Sequence, residues 1–208
     1  MKKIGFIGCG NMGGALARAA VKSVGAENIF VFDIDTQKAK VFSEETDVNV
    51  ADAEYIVLNC DYIFLGVKPQ MLKALFEKLA PVIEERTTDF VLVSMAAGVS
   101  LSSLNTMAQV DCPIIRIMPN MPVSVGEGMI LYTSNEFVSK EDLDGFIGAM
   151  KYAGRLDKIE EEKIDAASCV SGCGPAFVFM FCEALADGAV ECGLSRDKAL
   201  LYAAQTLI

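Results

Sequence analysis

Short apolar runs alternate with longer amphipathic stretches over the first 160 residues, and beyond that point the short runs stop. Ile4, Phe6 and Ile7 make the first run, Ile29 to Phe32 the second, and Val48 with Val50 a brief third. Tyr62 to Val67 and Phe90 to Ser94 are continuous and carry no polar alternation, which predicts strands covered on both faces. Ile114 to Met118, Met129 to Tyr132 and Leu156 to Ile159 extend the series. Between them, helical spacing predicts helices after the first run (Ala15 to Val24), over Thr36 to Thr46, Ala51 to Cys60, Gln70 to Ile83 and Ser139 to Tyr152, with one or two turns at Leu101 to Met107. Ser139 is a candidate N-cap, with Glu141 and Asp142 placed in the first turn of its helix. Lys68-Pro69 stops one strand, and Pro119-Asn-Met-Pro122 reads as a rigid loop. Strands alternating with helices in this way predict right-handed βαβ units and a mostly parallel sheet of the α/β class.

The acidic run Glu160-Glu-Glu162 marks the change, so the expected domains are 1–160 and 161–208. The second part reads as helical throughout: Ile164 to Val170, a glycine break at Ser171-Gly-Cys-Gly174, and a new helix starting at Pro175. Phe177, Val178, Phe179, Met180 and Phe181 follow one another, so that helix is apolar all round and must be covered on every side. The residues from Ser195 onward are too few to cover it, which predicts a partner subunit. The last stretch, Ala199 to Ile208, reads as a helix cut off in mid-pattern.

Chemistry enters at the first turn. The sequence from Lys3 to Gly14, KIGFIGCGNMGG, is a strand, a glycine turn and a helix start in that order. In a dinucleotide fingerprint Gly8 makes the turn, Gly10 lets the backbone approach a pyrophosphate, and Gly13 lets the helix close on the strand. Asp33 follows Gly13 by about 20 residues, where an acidic group meets a ribose 2′-hydroxyl. Gly8 to Gly13, Asp33, Gly66-Val-Lys-Pro69, Ala96-Ala-Gly98 and Asn120 each follow a predicted strand. Taken singly, each reads as a turn; taken together, behind a fingerprint, they are expected to line a cofactor cleft at the carboxyl ends of the strands.

Composition narrows the options. A net charge of −10 and a pI near 4.5 argue against nucleic acid and anionic membrane surfaces. The longest apolar run, Ala176 to Cys182, is well short of the roughly 18 residues of a membrane span. A hydrophobic fraction of 52% therefore points to an apolar subunit interface. There is no histidine, which removes Ser-His-Asp and Cys-His nucleophiles, imidazole metal sites and the usual general acid or base at neutral pH. No metal site is expected, and the chemistry must come mostly from a cofactor. The seven cysteines show no CxxC spacing and no secretory leader precedes the first strand, so they are expected to be reduced and buried, and the protein cytoplasmic.

The segments FIGCGNMGGAL, LGVKPQML, SMAAGVSL, IIRIMPNMPVSVGEG and ASCVSGCGPAFVFMFCEALADGAVECGL together resemble the pyrroline-5-carboxylate reductase family, in family order from Lys3 to Ile208. The resemblance implies a Rossmann-type domain followed by an all-helical dimerisation domain, here truncated. It also implies NADPH- or NADH-dependent reduction of 1-pyrroline-5-carboxylate to L-proline. By position, Gly8, Gly10, Asn11, Met12 and Gly13 would hold the pyrophosphate, with Asp33 at the ribose. Val67, Lys68 and Pro69 would border ribose and pyrophosphate, and Ala96 and Ala97 would flank the nicotinamide. Asn120, Ser171, Gly174 and Pro175 would stand at the reacting end, unless the Ser171–Pro175 segment is only a kink needed for dimer packing. An iminium is already an electrophile, so hydride transfer needs orientation more than a strong acid, in keeping with the missing histidine.

Two departures qualify the resemblance. The family's Ser-Pro-Gly-Gly-Thr substrate segment is not among the 208 residues, which leaves turnover by this chain open. The turn Phe32-Asp33-Ile34-Asp35-Thr36 has no nearby arginine, and Ala53 stands where the family tends to have asparagine. Local chemistry favours NADH and the family default favours NADPH. Two other readings are a related β-hydroxyacid dehydrogenase or imine reductase and a non-catalytic dinucleotide-binding module. Against the hydroxyacid enzymes, no lysine lies between Ser171 and Arg196.

Overall fold

The computed structural model describes residues 2–207. Its centre is one eight-stranded sheet in the order β3-β2-β1-β4-β5-β6-β7-β8. The strands are β1 (Ile4–Ile7), β2 (Ile29–Phe32), β3 (Asn49–Val50), β4 (Tyr62–Leu65), β5 (Val91–Ser94), β6 (Ile114–Pro119), β7 (Gly128–Ser134) and β8 (Gly154–Lys158). Every pairing is parallel except β6 with β7. That exception follows from the short return through the 3-10 turn Met121–Val125, which leaves no helix for a crossover.

Helices cover both faces. On one side lie α1 (Asn11–Val24), α2 (Thr36–Thr46) and α6 (Lys140–Met150), which bury Leu16, Phe42 and Phe146 against Phe6, Val31 and Phe64. On the other lie α3 (Ala53–Asn59), α4 (Leu72–Glu85) and α5 (Leu101–Ala108), which bury Ile56, Phe76 and Leu104 against Ile7, Ile63 and Leu65. Adjacent residues of one strand thus serve opposite layers, and the unbroken apolar runs are the consequence. Caps set several helix starts: Asp35 accepts from Gln37 N and Lys38 N, Asp52 from Tyr55 N, and Ser139 with Asp142 forms a capping box. The edges are blunted, β3 by its length and β8 by Arg155, Asp157 and Lys158.

The rest is helical: α7 (Ile164–Ser171), α8 (Gly174–Glu191) and α9 (Arg196–Thr206). Ile208, to which the last helix was expected to run, lies outside the described residues. Ala186, Ala199 and Ala203 pack α8 on α9, and Arg196 pairs with Asp187. Phe177, Phe179 and Phe181 remain 51 to 64% exposed, so the chain does not cover α8 by itself.

Three expectations need correction. The Ser171–Gly174 break is milder than expected: α7 ends at Ser171 and α8 begins at Gly174, but Gly172 and Cys173 between them keep right-handed helical angles and Cys173 N reaches back five residues to Ser168 O. Two glycines permit a bend but do not impose one. Because α7 and α8 run on, Glu161–Glu191 is, by length and composition alone, long and apolar enough to cross a membrane, although no single run of apolar residues is. Finally, Cys9, Cys60 and Cys112 are buried, whereas Cys169, Cys173 and Cys192 are exposed. Cys169 lies in α7, Cys173 between α7 and α8, and Cys192 just after α8, all in the helical part that is left largely exposed.

Candidate functional site

Because β1, β2, β4, β5 and β6 are mutually parallel, their carboxyl ends form one rim. Ile7 is in register with Phe32 and Leu65, Leu65 with Ser94, and Ser94 with Arg116. Gly8, Asp33, Gly66, Ala96 and Asn120 therefore meet on that rim from scattered sequence positions. The strand order reverses between β1 and β4, and the glycine loop emerges at that switch point.

Three glycines close the loop onto the sheet. Gly8 has φ +104°, and a Cβ there would sit 2.5 Å from Gly66 O. A Cβ on Gly13 would lie 2.1 Å from Gly8 O, and one on Gly66 would lie 2.6 Å from the same oxygen. Gly66 belongs to this contact as much as the other two, and only its place after a buried strand could have signalled it. Gly10 differs. A Cβ there meets nothing within 4 Å, so a side-chain-sized space stays open over the start of α1. Gly10 caps that helix without a side-chain bond, and the first turn, with Asn11, Met12 and Gly13, carries no acidic group. Uncapped N–H groups at a helix start beside open space fit a pyrophosphate.

Asp33 is engaged locally. Its Oδ2 accepts from Cys9 N at 3.0 Å and its Oδ1 from Asp35 N at 3.0 Å, so the carboxylate ties the glycine loop to the turn after β2. The Cys9 thiol also points at it, and burial, helped by the Asp33 charge, pushes that thiol up to about 11. Cys9 therefore stays neutral and is no nucleophile. A cavity of about 270 Å³ opens beside the loop, lined by Cys9, Asp35, Gln37, Lys38, Phe42 and Glu45 among others.

Elsewhere on the rim, Val67 is half-buried and Lys68 exposed, with Pro69 opening the 3-10 turn Pro69–Met71. Ala96 is buried and Ala97 exposed, just before Gly98 turns with φ +72°. Asn120 is buried, and both ends of its amide are engaged: Nδ2 donates to Ser171 O at 2.8 Å and Oδ1 accepts from Met129 N at 2.8 Å. Each polar atom of the Asn120 amide thus has one partner, which leaves one Nδ2 N–H and one Oδ1 lone pair. Ser171, Gly174 and Pro175 are half-buried, and the Ser171 hydroxyl donates to Ala167 O at 3.2 Å. The structure thus joins Asn120 directly to Ser171.

One group went unread in the sequence. Arg116, in the middle of β6, is buried and pairs through Nη1 with Glu161 Oε1 at 3.0 Å and through Nη2 with Asp165 Oδ1 at 3.4 Å. Glu161 Oε1 also accepts from Leu101 N at 2.7 Å, at the start of α5. A lone arginine inside IIRIMP was the available signal. Among the described residues, no three potential metal ligands converge.

Residues 161–208 match the family described as pyrroline-5-carboxylate reductase dimerisation, and residues 3–98 match NADP oxidoreductase, coenzyme F420-dependent. The pyrroline-5-carboxylate reductase of Escherichia coli is 38% identical over 210 residues, covering 100% of this chain and 77% of that protein. That of Aquifex aeolicus is 34% identical over 99% of this chain and 76% of its own length. Among solved structures, Plasmodium falciparum pyrroline carboxylate reductase with NADP bound aligns at TM-score 0.86 and 31% identity, over 99% of this chain and 76% of that one.

Proposed function

Because the chain belongs to the pyrroline-5-carboxylate reductase family, we infer that it is an NADPH- or NADH-dependent oxidoreductase that reduces 1-pyrroline-5-carboxylate to L-proline, the last step of proline biosynthesis. The observation that carries this reading is the match to reductases over the whole chain, on a fold whose glycine loop stands at the sheet's switch point. A dinucleotide held on this rim would supply hydride for the imine carbon, with the ring nitrogen taking up a proton. What remains for the protein is orientation and exclusion of water.

Gly8, Gly10, Asn11, Met12 and Gly13 hold the pyrophosphate against the start of α1, in the space that Gly10 leaves open. Val67, Lys68 and Pro69 border the ribose, and Ala96 and Ala97 border the nicotinamide. Ser171, Gly174 and Pro175 face the reacting ring, a reading supported by the bond that links Ser171 to Asn120 on the rim. Asp33 shapes the loop, since its carboxylate is already bonded to Cys9 N and Asp35 N. Those bonds leave its charge in place, so beside the ribose it still disfavours a 2′-phosphate, while the relative solved with NADP bound supports NADPH; both cofactors stay within the reading.

The domain boundary falls at about residue 160, between the last strand and the helices. The exposed Phe177–Phe181 face of α8 lies within the segment matching the dimerisation family and is covered by a second copy of the chain. That cover, and not a bilayer, accounts for the apolar length of Glu161–Glu191. The free thiols and the acidic net charge support a cytoplasmic enzyme without nucleic-acid partners.

The test is initial-rate oxidation of NADPH and of NADH by the complete gene product, with and without 1-pyrroline-5-carboxylate. Oxidation that depends on the imine is expected. Dinucleotide binding without such turnover would refute the assignment.

A further inference from the structure

α7 touches β6 through polar groups at both of its ends. Asn120 directly follows β6 and keeps extended backbone angles, so Arg116 and Asn120, four residues apart, lie on the same side about 13 Å apart. Glu161, in the 3-10 turn Glu161–Lys163 that leads into α7, and Asp165, in the first turn of α7, meet Arg116, and Ser171, at the helix end, meets Asn120. Residues 161 to 171, a 3-10 turn followed by α7, rise about 15–17 Å, comparable with the separation of the two anchors on the strand side. The Glu161 carboxylate also binds Leu101 N, which fixes the first anchor to α5 as well.

The second anchor has a covalent cause. Pro175 has no N–H, so Ser171 C=O loses the partner that position 175 would supply in a regular helix. Asn120 Nδ2 donates there instead, and its Oδ1 is fixed by Met129 N. The first anchor is not needed for stability as such, because an apolar side chain of similar volume serves a buried strand position at least as well as an ion pair. An arginine with a fixed fork does what an apolar side chain cannot: it sets the helix's position along the strand.

We propose that Arg116 and Asn120 are positioning residues that moor the two ends of α7 to β6, and so set where the Ser171–Pro175 segment stands relative to the strand-end rim. This rests on the reductase reading only for its catalytic consequence. A reacting group displaced by about 1 Å loses on the order of 100-fold in rate, whereas the dinucleotide, held at β1 and α1, does not sense the move.

The experiment uses Arg116→Met, Glu161→Gln and Asn120→Asp in the complete gene product. The last variant keeps an acceptor for Met129 N but turns a carboxylate oxygen toward Ser171 O. Dinucleotide Kd should stay within about twofold, kcat should fall roughly 10- to 100-fold, and amide exchange over residues 172–177 should quicken. In a double-mutant cycle with Pro175→Ala, which restores an N–H at position 175, the kcat penalty of Asn120→Asp should shrink. A lowered melting temperature with kcat per folded enzyme unchanged would overturn the proposal, as would an equal Asn120→Asp penalty in both backgrounds. If the parent enzyme shows no turnover, the reductase reading fails, and the exchange rates alone decide the mooring: quickened exchange supports it and unchanged exchange overturns it.

Discussion

Gly10→Ala and Gly13→Ala separate the two demands placed on the glycine loop. Gly10 has φ −67° and ψ −167°, angles an alanine adopts without strain, and its Cβ would meet nothing within 4 Å. Replacing glycine at a compatible position stabilises by about 0.4–1 kcal/mol through the unfolded chain, while alanine is a poorer N-cap than glycine by a comparable amount. The two effects nearly cancel, so the melting temperature of Gly10→Ala should move by no more than about 2–4 °C. Its methyl group, however, fills the space over the α1 start, and dinucleotide Kd should weaken at least about tenfold, or about 1.4 kcal/mol. Gly13→Ala is the reverse case for stability. Its Cβ would lie 2.1 Å from Gly8 O, so helix and loop must part by roughly 1 Å against backbone. Overpacking of this kind costs about 1–3 kcal/mol, a fall of several degrees, with loss of binding as well. The chain has no tryptophan, so binding is followed by the fluorescence of the dihydronicotinamide itself alongside thermal melts. Normal binding by Gly10→Ala would remove the pyrophosphate from this loop, and an unchanged melt for Gly13→Ala would refute the close approach of α1 to β1.

Asp33→Asn should lower stability by about 1–2 kcal/mol, because one amide N–H must face Cys9 N or Asp35 N, and, by removing a negative charge beside the ribose, should raise NADPH affinity relative to NADH; an unchanged ratio would place the carboxylate away from the 2′ position. Phe179→Glu places a charge in the exposed α8 face and should weaken self-association by about 30-fold or more, read as mass by light scattering across a dilution series; an unchanged dimer would put the interface elsewhere. In that dissociated variant Cys169, Cys173 and Cys192 should react with a thiol reagent at neutral pH while Cys9, Cys60 and Cys112 stay silent until unfolding. Burial also raises the Cys112 thiol to about 11 and the Cys60 thiol to about 12 from 9.0. These groups stay neutral when folded while the unfolded chain ionises, so their stabilisation is complete below pH 9 and lost as pH rises through 11 to 12. Urea midpoints at pH 8 and about 10.5 should fall less for Cys60→Ala than for the parent; equal falls would exclude the thiol as a cause.

The sheet was legible because its strands are continuous apolar runs and its helices are opened by local caps, such as Asp35 before Thr36 and Ser139 before Lys140. The antiparallel turn of β7 was not read, though the short link from Pro119 to Gly128 cannot contain a crossover helix. Gly172 and Gly174 suggested a break because glycine permits one, but the backbone stays helical where i→i−4 and i→i−5 bonds to Ser168 O hold it. Asp33 illustrates a different limit. Its spacing from the glycines fits a ribose ligand, while its geometry shows two backbone donors within reach first. Arg116 was passed over because a single polar residue does not change the strand pattern, and its partners Glu161 and Asp165 lie 45 and 49 residues away.

The rim and the helices differ in how far one chain can complete them. At the glycine loop, every close approach is made within the chain: Gly8, Gly13 and Gly66 pack on one another, and Asp33 fixes the loop from β2. At α8, the largest side chains remain half or more exposed among the described residues. On the proposed reading, dinucleotide affinity therefore belongs to a single chain, whereas the position of the Ser171–Pro175 segment responds to a second copy packed on α8. The bonds from Arg116 and Asn120 join these two parts, and the proposed mooring would carry a change at the α8 face to the Ser171–Pro175 segment without passing through the glycine loop.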